Sequence, residues 1–256
     1  MINAALEFNI SARYGKTEVL HEVAACIAPG EILGLVGLSG SGKSTLALSL
    51  LQLLKYRGGE VSGSIRIGGR ELAGLPNREL RATRGKLIGY VPQNAASALN
   101  DRLRVCTLLE ETWLAHARQR PAADVFQSAL ERVNLPGSSE FLHRRAGELS
   151  TGQGQRLLIA LALLHQPAVL LADEPTSALD AITQAAVLDL FRGLNRDTGT
   201  AVLFISHDLL AVASLSHRVA ILHKGRIVES GPPQQIFHAP IHPFTQQLVR
   251  AMPRPL

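Results

Sequence analysis

GLSGSGKS, at residues 37–44, matches the phosphate-binding pattern G-x-x-x-x-G-K-[S/T]. Glycines let such a loop curl until successive backbone N–H groups point at phosphate oxygens. Lys43 then adds a positive charge for the β- and γ-phosphates, and the Ser44 hydroxyl is a ligand for Mg²⁺. The apolar residues 32–36 predict a buried strand before the loop, and the apolar run 45–54 predicts a helix after it. This context predicts an α/β domain that binds a nucleoside triphosphate.

A second candidate site follows another apolar run, at residues 168–172. Such a run is typical of a central parallel strand, and it leads directly into Asp173 and Glu174. Open α/β sheets bind ligands at the carboxyl ends of their strands. One acid there is suited to hold Mg²⁺ through water and the other to orient an attacking water; an ordinary pair of turn carboxylates is the competing interpretation. His207, after the apolar run 201–205, is predicted to reach the same edge.

A third segment, LSTGQGQR at residues 149–156, precedes the apolar stretch LLIALALL. Ser150 and Gln153 have the spacing of a capping box, in which two side chains satisfy backbone N–H groups at a helix N-terminus. On these grounds alone the segment is a second helix N-terminus that attracts anions.

Together these segments resemble the ATP-binding cassette (ABC) ATPases, whose signature usually reads LSGGQ. The resemblance covers nearly the whole chain, with the motifs in the family's order. They are the adenine-stacking Tyr14, the Walker A loop 37–45, the Q-loop Gln93, the signature 149–153, Walker B 168–174, the D-loop 177–180 and the switch His207. Thr151 stands where glycine is usual, which predicts a weaker signature half-site.

The resemblance implies a fold and a mode of action. The expected fold is α/β: a P-loop NTPase of the ABC type with a parallel core sheet, an antiparallel β lobe and a helical lobe. A single domain is expected to span residues 1–256, with the helical lobe at about 94–165. Two such domains are expected to close face to face, each ATP lying between one Walker A loop and the partner's signature helix.

The resemblance also implies a role for each site residue. Glu174, His207 and Gln93 are the expected catalytic residues; Glu174 orients the water and His207 senses the γ-phosphate. Mg²⁺ or its waters are expected at Ser44, Gln93 and Asp173. Contacts to ATP are expected from Tyr14, Gly37, Ser39, Gly40, Ser41, Gly42, Lys43, Ser44, Thr45, Ser150, Gly152 and Gln153.

The C-terminal sequence narrows the resemblance to a subgroup. IFHAPIHPFTQQLV at residues 236–249 resembles the P-x-HP[YF]T-x-x-L ending of ATPases that serve dipeptide, oligopeptide and nickel importers. SALN at residues 97–100 is similar to that group's S-x-LNP segment. The chain ends at Leu256 without a cysteine-rich extension, which favours the nickel or metallophore branch, although a phosphonate-metabolism ATPase has a similar tail. The tail histidines fit helix capping and a direct role equally well.

Composition sets the broad class. Hydrophobic residues make up 46% of the chain, but no run of eighteen apolar residues occurs, so membrane spans are expected in another chain. No signal peptide is visible, and Cys26 and Cys106 are too few for a disulfide framework or thiolate metal site, which favours a reducing cytoplasm. The net charge of +5 is modest and lacks an aromatic–basic stripe, so nucleic-acid binding is not expected.

The predicted function is an ATPase subunit that powers an importer of peptides, nickel or a metal chelate. Expected partners are transmembrane permease subunits, a second ATPase subunit (a paralogue or another copy) and, indirectly, an extracytoplasmic binding protein, at the cytoplasmic face of the membrane. Two alternatives stay open: an ABC-type ATPase in a non-transport complex of phosphonate metabolism, and a nucleic-acid clamp. A clamp is expected to carry long heptad insertions or zinc-binding cysteines, which this sequence lacks.

Overall fold

The computed structural model describes residues 4–251 and divides them into two compact units. Unit 1 comprises the described residues up to 74 and from 201 onward, and unit 2 comprises residues 75–200. The strands are β1 Leu6–Tyr14, β2 Thr17–Ile27, β3 Ile32–Val36, β4 Gly59–Ile67, β5 Arg70–Glu71, β6 Ile88–Val91, β7 Val169–Asp173, β8 Ala201–Ser206, β9 Arg218–His223 and β10 Arg226–Gly231. The helices are α1 Lys43–Leu50, α2 Asn77–Thr83, α3 Ala95–Ala98, α4 Val105–Leu114, α5 Ala123–Glu131, α6 Ser139–His143, α7 Thr151–Leu163, α8 Ala181–Thr198, α9 Leu209–Leu215, α10 Pro233–His238 and α11 Pro243–Arg250.

Unit 1 contains an antiparallel β lobe with the strand order β2-β1-β4-β5. Its central strand β1 pairs antiparallel with both β2 and β4. Leu6, Phe8 and Ile10 are buried while Glu7 and Asn9 between them are exposed, as the alternation in the sequence predicts for a half-buried strand. This confirms the expected antiparallel lobe.

Unit 1 also carries the strands that position the phosphate-binding loop. β3 pairs in parallel with β8 and β9, and β10 closes an antiparallel hairpin on β9. Every residue of β3 and β8 is buried, which explains why both read as continuous apolar runs. The predicted helix at 45–54 is shorter in the structure: α1 ends at Leu50, because Gln52 takes a left-handed φ of 54° that a helix does not continue through.

Unit 2 combines a parallel strand pair with most of the helices. β6 and β7 run parallel, in the register Ile88↔Val169 to Val91↔Ala172. Helices α3 to α7 follow one another in the segment that the sequence assigns to a helical lobe, and the long α8 follows β7. Between residues 4 and 251, no helix combines the length and apolar character needed to cross a membrane.

Candidate functional site

The loop between β3 and α1 is a tight backbone cradle that requires glycine at two positions. Gly42 has a φ of +107°, and a Cβ there would lie 2.6 Å from Leu20 Cδ2. A Cβ at Gly37 would collide with Ser41 Oγ and would lie 2.6 Å from the Leu222 carbonyl oxygen. The loop can therefore adopt this tight conformation only because side chains are missing at these positions.

Lys43 lies inside this cradle. Its side chain is buried, and Nζ donates hydrogen bonds to the carbonyls of Gly37 at 2.9 Å and Leu38 at 3.2 Å. Ser41 Oγ is also buried and has no hydrogen-bond partner among the described residues. A held ammonium and a buried hydroxyl in one glycine loop suit the oxygens of a polyphosphate. The residues present therefore fit ATP.

Two backbone features complete the cradle. Within the described residues, no side chain caps the N-terminus of α1, so its first N–H groups and its dipole suit an anion. On the outer side, the Gly225 N–H donates to the Ser41 carbonyl at 3.1 Å, which ties the β9–β10 turn to the loop. No local sequence pattern indicates this contact, because the two segments are far apart in the chain.

The structure places two further predicted residues in unit 1. Val36 pairs with Ser206, so the phosphate-binding loop and the exposed His207 leave the same end of neighbouring parallel strands. Asp208 fixes the backbone beside His207 by accepting hydrogen bonds from the first N–H groups of α9. Tyr14 lies half-buried at the end of β1, where its ring packs next to Gly59.

In unit 2 the structure brings Gln93 and Glu174 together. Gln93 Nε2 donates a hydrogen bond to Glu174 Oε2 at 3.3 Å. Glu174 follows β7 with a left-handed φ of +47°, and its carbonyl accepts hydrogen bonds from the backbone and hydroxyl of Ser177. A non-glycine residue held in this region by its surroundings is typical of functional sites.

Asp173 precedes Glu174 as the buried last residue of β7. Tyr90, on the neighbouring strand β6, forms a side-chain hydrogen bond with it. Burial is the main cause that raises the pKa of Tyr90 to about 12, and the charge and hydrogen bond of Asp173 add to it. The sequence gives no sign of this role for Tyr90, because aromatic residues in buried strands usually only pack.

The predicted capping box of the signature segment is confirmed. Ser150 Oγ accepts from the Gln153 N–H at 3.2 Å, and Gln153 Oε1 accepts from the Ser150 N–H at 3.1 Å. Gly152 faces α8, because a Cβ there would lie 2.6 Å from Thr183 Cγ2. Asp180 in turn caps α8 by accepting from the N–H groups of Ile182 and Thr183. The signature segment thus contacts the first turn of α8, directly after the D-loop, at Gly152 and Thr183.

The C-terminal segment is fixed by a buried carboxylate. Glu229 on β10 accepts hydrogen bonds from the backbone N–H groups of Ile241 and His242, both at 2.9 Å. His242 Nδ1 accepts from the Phe244 N–H at 3.2 Å and so caps α11, and Phe244 stacks on His223. For His242, the helix-capping interpretation is therefore confirmed.

The fold and the site define a P-loop NTPase, and comparison with known proteins specifies which kind. Residues 20–177 match the family described as "ABC transporter". The chain belongs to this family. The expected ABC-type P-loop fold is confirmed.

Individual relatives agree with this assignment. A protein named as a peptide import ATP-binding protein, from Brucella ovis, is 40% identical over 247 residues, which cover 92% of this chain and 72% of the relative. The oligopeptide transport ATP-binding protein OppD of Escherichia coli K12 is 36% identical over 252 residues, covering 97% and 74%. A solved dimer of the ATP-binding cassette MJ0796 in a post-hydrolysis state, bound to ADP and Pi, has a TM-score of 0.76 at 26% identity and covers 89% of this chain and 98% of that one.

Proposed function

We propose that this chain is the ATP-hydrolysing subunit of an ABC importer that takes up peptides. The observation that carries the hydrolytic part is the hydrogen bond between Gln93 and Glu174 at the end of β7, where open α/β sheets perform chemistry. The peptide substrate is supported by the names of the relatives from Brucella ovis and Escherichia coli. We therefore propose peptides rather than the nickel or metal chelates that the tail resemblance also allows.

ATP binding is assigned mainly to the cradle in unit 1. Lys43 and the loop N–H groups hold the phosphates, and Tyr14 stacks on adenine. The buried Ser41 hydroxyl contributes a further polar contact to the phosphates. The rest of the loop assignment is Gly37, Ser39, Gly40, Gly42, Ser44 and Thr45.

Hydrolysis requires a water aligned with the γ-phosphorus. As the water oxygen bonds to this phosphorus, the bond from the γ-phosphorus to the β–γ bridging oxygen breaks, and ADP and phosphate leave. Glu174 orients the water and accepts its proton, and Gln93 positions the Glu174 carboxylate. His207 contacts the γ-phosphate and so distinguishes ATP from ADP.

We include Mg²⁺ in the proposal because each residue assigned to it offers an oxygen ligand. Ser44 has an exposed hydroxyl, Asp173 a carboxylate and Gln93 an amide oxygen, and Mg²⁺ prefers such oxygen ligands, often through water. When bound, the ion neutralises charge on the β- and γ-phosphates. The Tyr90 hydroxyl orients Asp173 through their hydrogen bond.

We further propose that one ABC domain spans residues 1–256, with a helical lobe at about 94–165, and that two such subunits share their ATP sites. Ser150, Gly152 and Gln153 of one subunit then face the γ-phosphate held by the other. Permease subunits bring the two ATPases together at the cytoplasmic face of the membrane, and the segment after Gln93 transmits closure to them. The second ATPase subunit is a paralogue with a complete signature.

Replacing Glu174 by Gln tests the hydrolytic assignment. The amide keeps the size and most hydrogen bonds of the side chain but cannot accept the proton, so turnover should fall at least about a hundredfold. ATP binding should persist and a closed dimer should accumulate, which light scattering detects. Glu111→Gln, an exposed substitution on α4, is the matched control and should keep full turnover. Near-normal hydrolysis by Glu174→Gln would remove Glu174 from the mechanism.

Co-purification tests the importer assignment. Membrane permeases and an extracytoplasmic binding protein should co-purify with the chain, and a thermal-shift screen on that binding protein should identify peptides. Soluble lyase subunits would instead support the phosphonate complex. Bound DNA or ribosomal RNA would support the clamp.

A further inference from the structure

A basic cleft lies on unit 2, beside the start of β6. Its volume is about 490 Å³, within the range of small-molecule sites. Arg78 and Arg81 on α2, Lys86 before β6 and Arg118 after α4 contribute its cationic side chains, and Leu114 gives it an exposed apolar wall. Among the described residues that line this cleft, none is acidic.

The described part of the chain does not neutralise the positive charge in this cleft. In residues 4–251, no carboxylate lies within ion-pair distance of any of the four cations, although Arg120 close by pairs with Glu110 at 2.8 Å. The whole chain carries 26 basic and 21 acidic residues, so an all-basic cleft departs from an otherwise mixed distribution. Four like charges around one concavity raise the local concentration of anions.

His116, which also lines the cleft, has a pKa that the nearby positive charges help to lower. Burial is the main cause that lowers its pKa, and the positive charges of His165 and Lys86 lower it further. The ring is therefore biased toward its neutral form, in which one of its nitrogens accepts and the other donates a hydrogen bond.

Ring contacts and a hydrogen bond support the segment that carries His116 and Arg118. The Trp113 ring stacks on His165 at 5.0 Å between centroids, and His116 meets His165 edge-on at 5.1 Å. Trp113 Nε1 donates to the Gln119 carbonyl at 2.8 Å, which closes the loop that carries Arg118. Such packing holds the loop's backbone in place, so a ligand has less chain ordering to overcome.

The cleft is separate from the candidate hydrolytic residues. Lys86 precedes β6 and Gln93 follows it, and a strand of four residues spans about 13 Å at roughly 3.3 Å per residue. The cleft therefore lies at the opposite end of β6 from Gln93. A ligand bound there does not occupy the hydrolytic position.

We propose that this cleft is a second anion site, which binds a ligand carrying clustered phosphate groups. Each arginine guanidinium group can donate two parallel hydrogen bonds to two phosphate oxygens, and Lys86 adds a point charge. The shared chemistry is a phosphate cluster, supplied either by a soluble polyphosphate or by the headgroup of an anionic phospholipid, whose acyl chain meets Leu114. This site does not depend on the proposed ATPase function.

Binding of inorganic tripolyphosphate tests the soluble source. The measurement uses the full chain with Lys43→Ala, so that the phosphate-binding loop does not dominate the signal, and follows binding by calorimetry at two salt concentrations. In this Lys43→Ala background, adding Arg81→Gln and Lys86→Gln should weaken tripolyphosphate binding at least about tenfold. Without these two changes, a higher salt concentration should weaken tripolyphosphate binding. Lys86→Arg alone, which keeps the charge, should retain binding. Arg132→Gln with Arg226→Gln, two exposed cations elsewhere, should change it less than about twofold.

Co-sedimentation with vesicles tests the lipid source. The same variants are mixed with phosphatidylcholine vesicles with and without phosphatidylglycerol. If the chain binds vesicles only when they contain phosphatidylglycerol, and Arg81→Gln/Lys86→Gln abolishes this binding, the site takes a membrane headgroup. If Arg81→Gln/Lys86→Gln loses tripolyphosphate binding but does not change vesicle binding, the site takes a soluble ligand. If the cleft variant and the control variant behave alike in both assays while their melting temperatures are unchanged, the proposal is wrong.

Discussion

The helices α1 and α7 both begin at a glycine-rich motif, but only the N-terminus of α7 is capped by side chains within the described residues. α1 begins after Gly42, and within the described part of the chain no side chain caps it. α7 begins after Ser150, whose side chain and that of Gln153 cap each other's backbone N–H groups. The first leaves its N-terminal dipole and N–H groups to a ligand, whereas the second satisfies part of its own.

The difference indicates separate tasks for the two motifs. The cradle at α1 holds a buried Lys43, so we expect it to bind phosphate without help from a second subunit. The capped end of α7 brings no cation of its own in its first turn and adds only a modest attraction for an anion, roughly 0.3–1 kcal/mol for a helix dipole. We therefore expect ATP affinity of the isolated chain to come from unit 1, and the signature to act only after assembly.

Of the changes at or near these two helix ends, the largest expected effect on ATP affinity comes from filling the cradle. Gly42→Ala adds a Cβ at a left-handed φ, against Leu20, and should weaken ATP binding at least about tenfold because such strain costs roughly 1–3 kcal/mol. Gly68→Ala is the matched control: its φ is also positive, +54°, but the space around it is open. Calorimetry measures both affinities. If the two variants bind ATP equally well, the cradle before α1 does not hold the nucleotide.

Removing the cap of α7 should cost stability rather than ATP affinity. Ser150→Ala deletes the acceptor for the Gln153 N–H, and the loss of an N-cap costs about 1 kcal/mol in free energy of unfolding. Ser150→Thr keeps the acceptor and should restore most of that stability. Chemical denaturation measures both. An unchanged midpoint for Ser150→Ala would show that the cap contributes nothing to folding.

Tyr14 sharpens the assignment of ATP affinity to unit 1. Stacking of an aromatic ring on a base is worth on the order of 1 kcal/mol, so Tyr14→Ala should loosen ATP several-fold and Tyr14→Phe should bind like the parent. Calorimetry on the isolated chain separates the two. If alanine and tyrosine bind ATP equally, Tyr14 only packs against Gly59.

The smallest expected effect concerns Thr151 at the start of α7. Its β-branched side chain adds bulk where glycine would allow close approach of a phosphate. In the reconstituted transporter, Thr151→Gly should raise hydrolysis about twofold or more, chiefly at the site whose Walker A loop belongs to the paralogue. Unchanged turnover, or full activity as a homodimer, would end the proposal of unequal sites and leave the ATPase assignment intact.

Local chemistry explains which features could be predicted from the sequence. The strand at 32–36 and the capping box at Ser150 depend on neighbouring residues, and both are confirmed. The Gly225 contact to the loop, the Tyr90 bond to Asp173 and the packing of Gly152 on Thr183 join residues far apart in the chain. A single sequence carries no signal for such contacts.

Calorimetric titration of ATP into the isolated chain shows which of the two helix N-termini binds the nucleotide. We expect Lys43→Ala to weaken ATP binding at least about tenfold, because it removes the charge held inside the cradle, and Ser150→Ala to change it less than about twofold. Unchanged affinity in Lys43→Ala, or an equal loss in Ser150→Ala, would contradict the assignment of ATP binding to the uncapped end of α1.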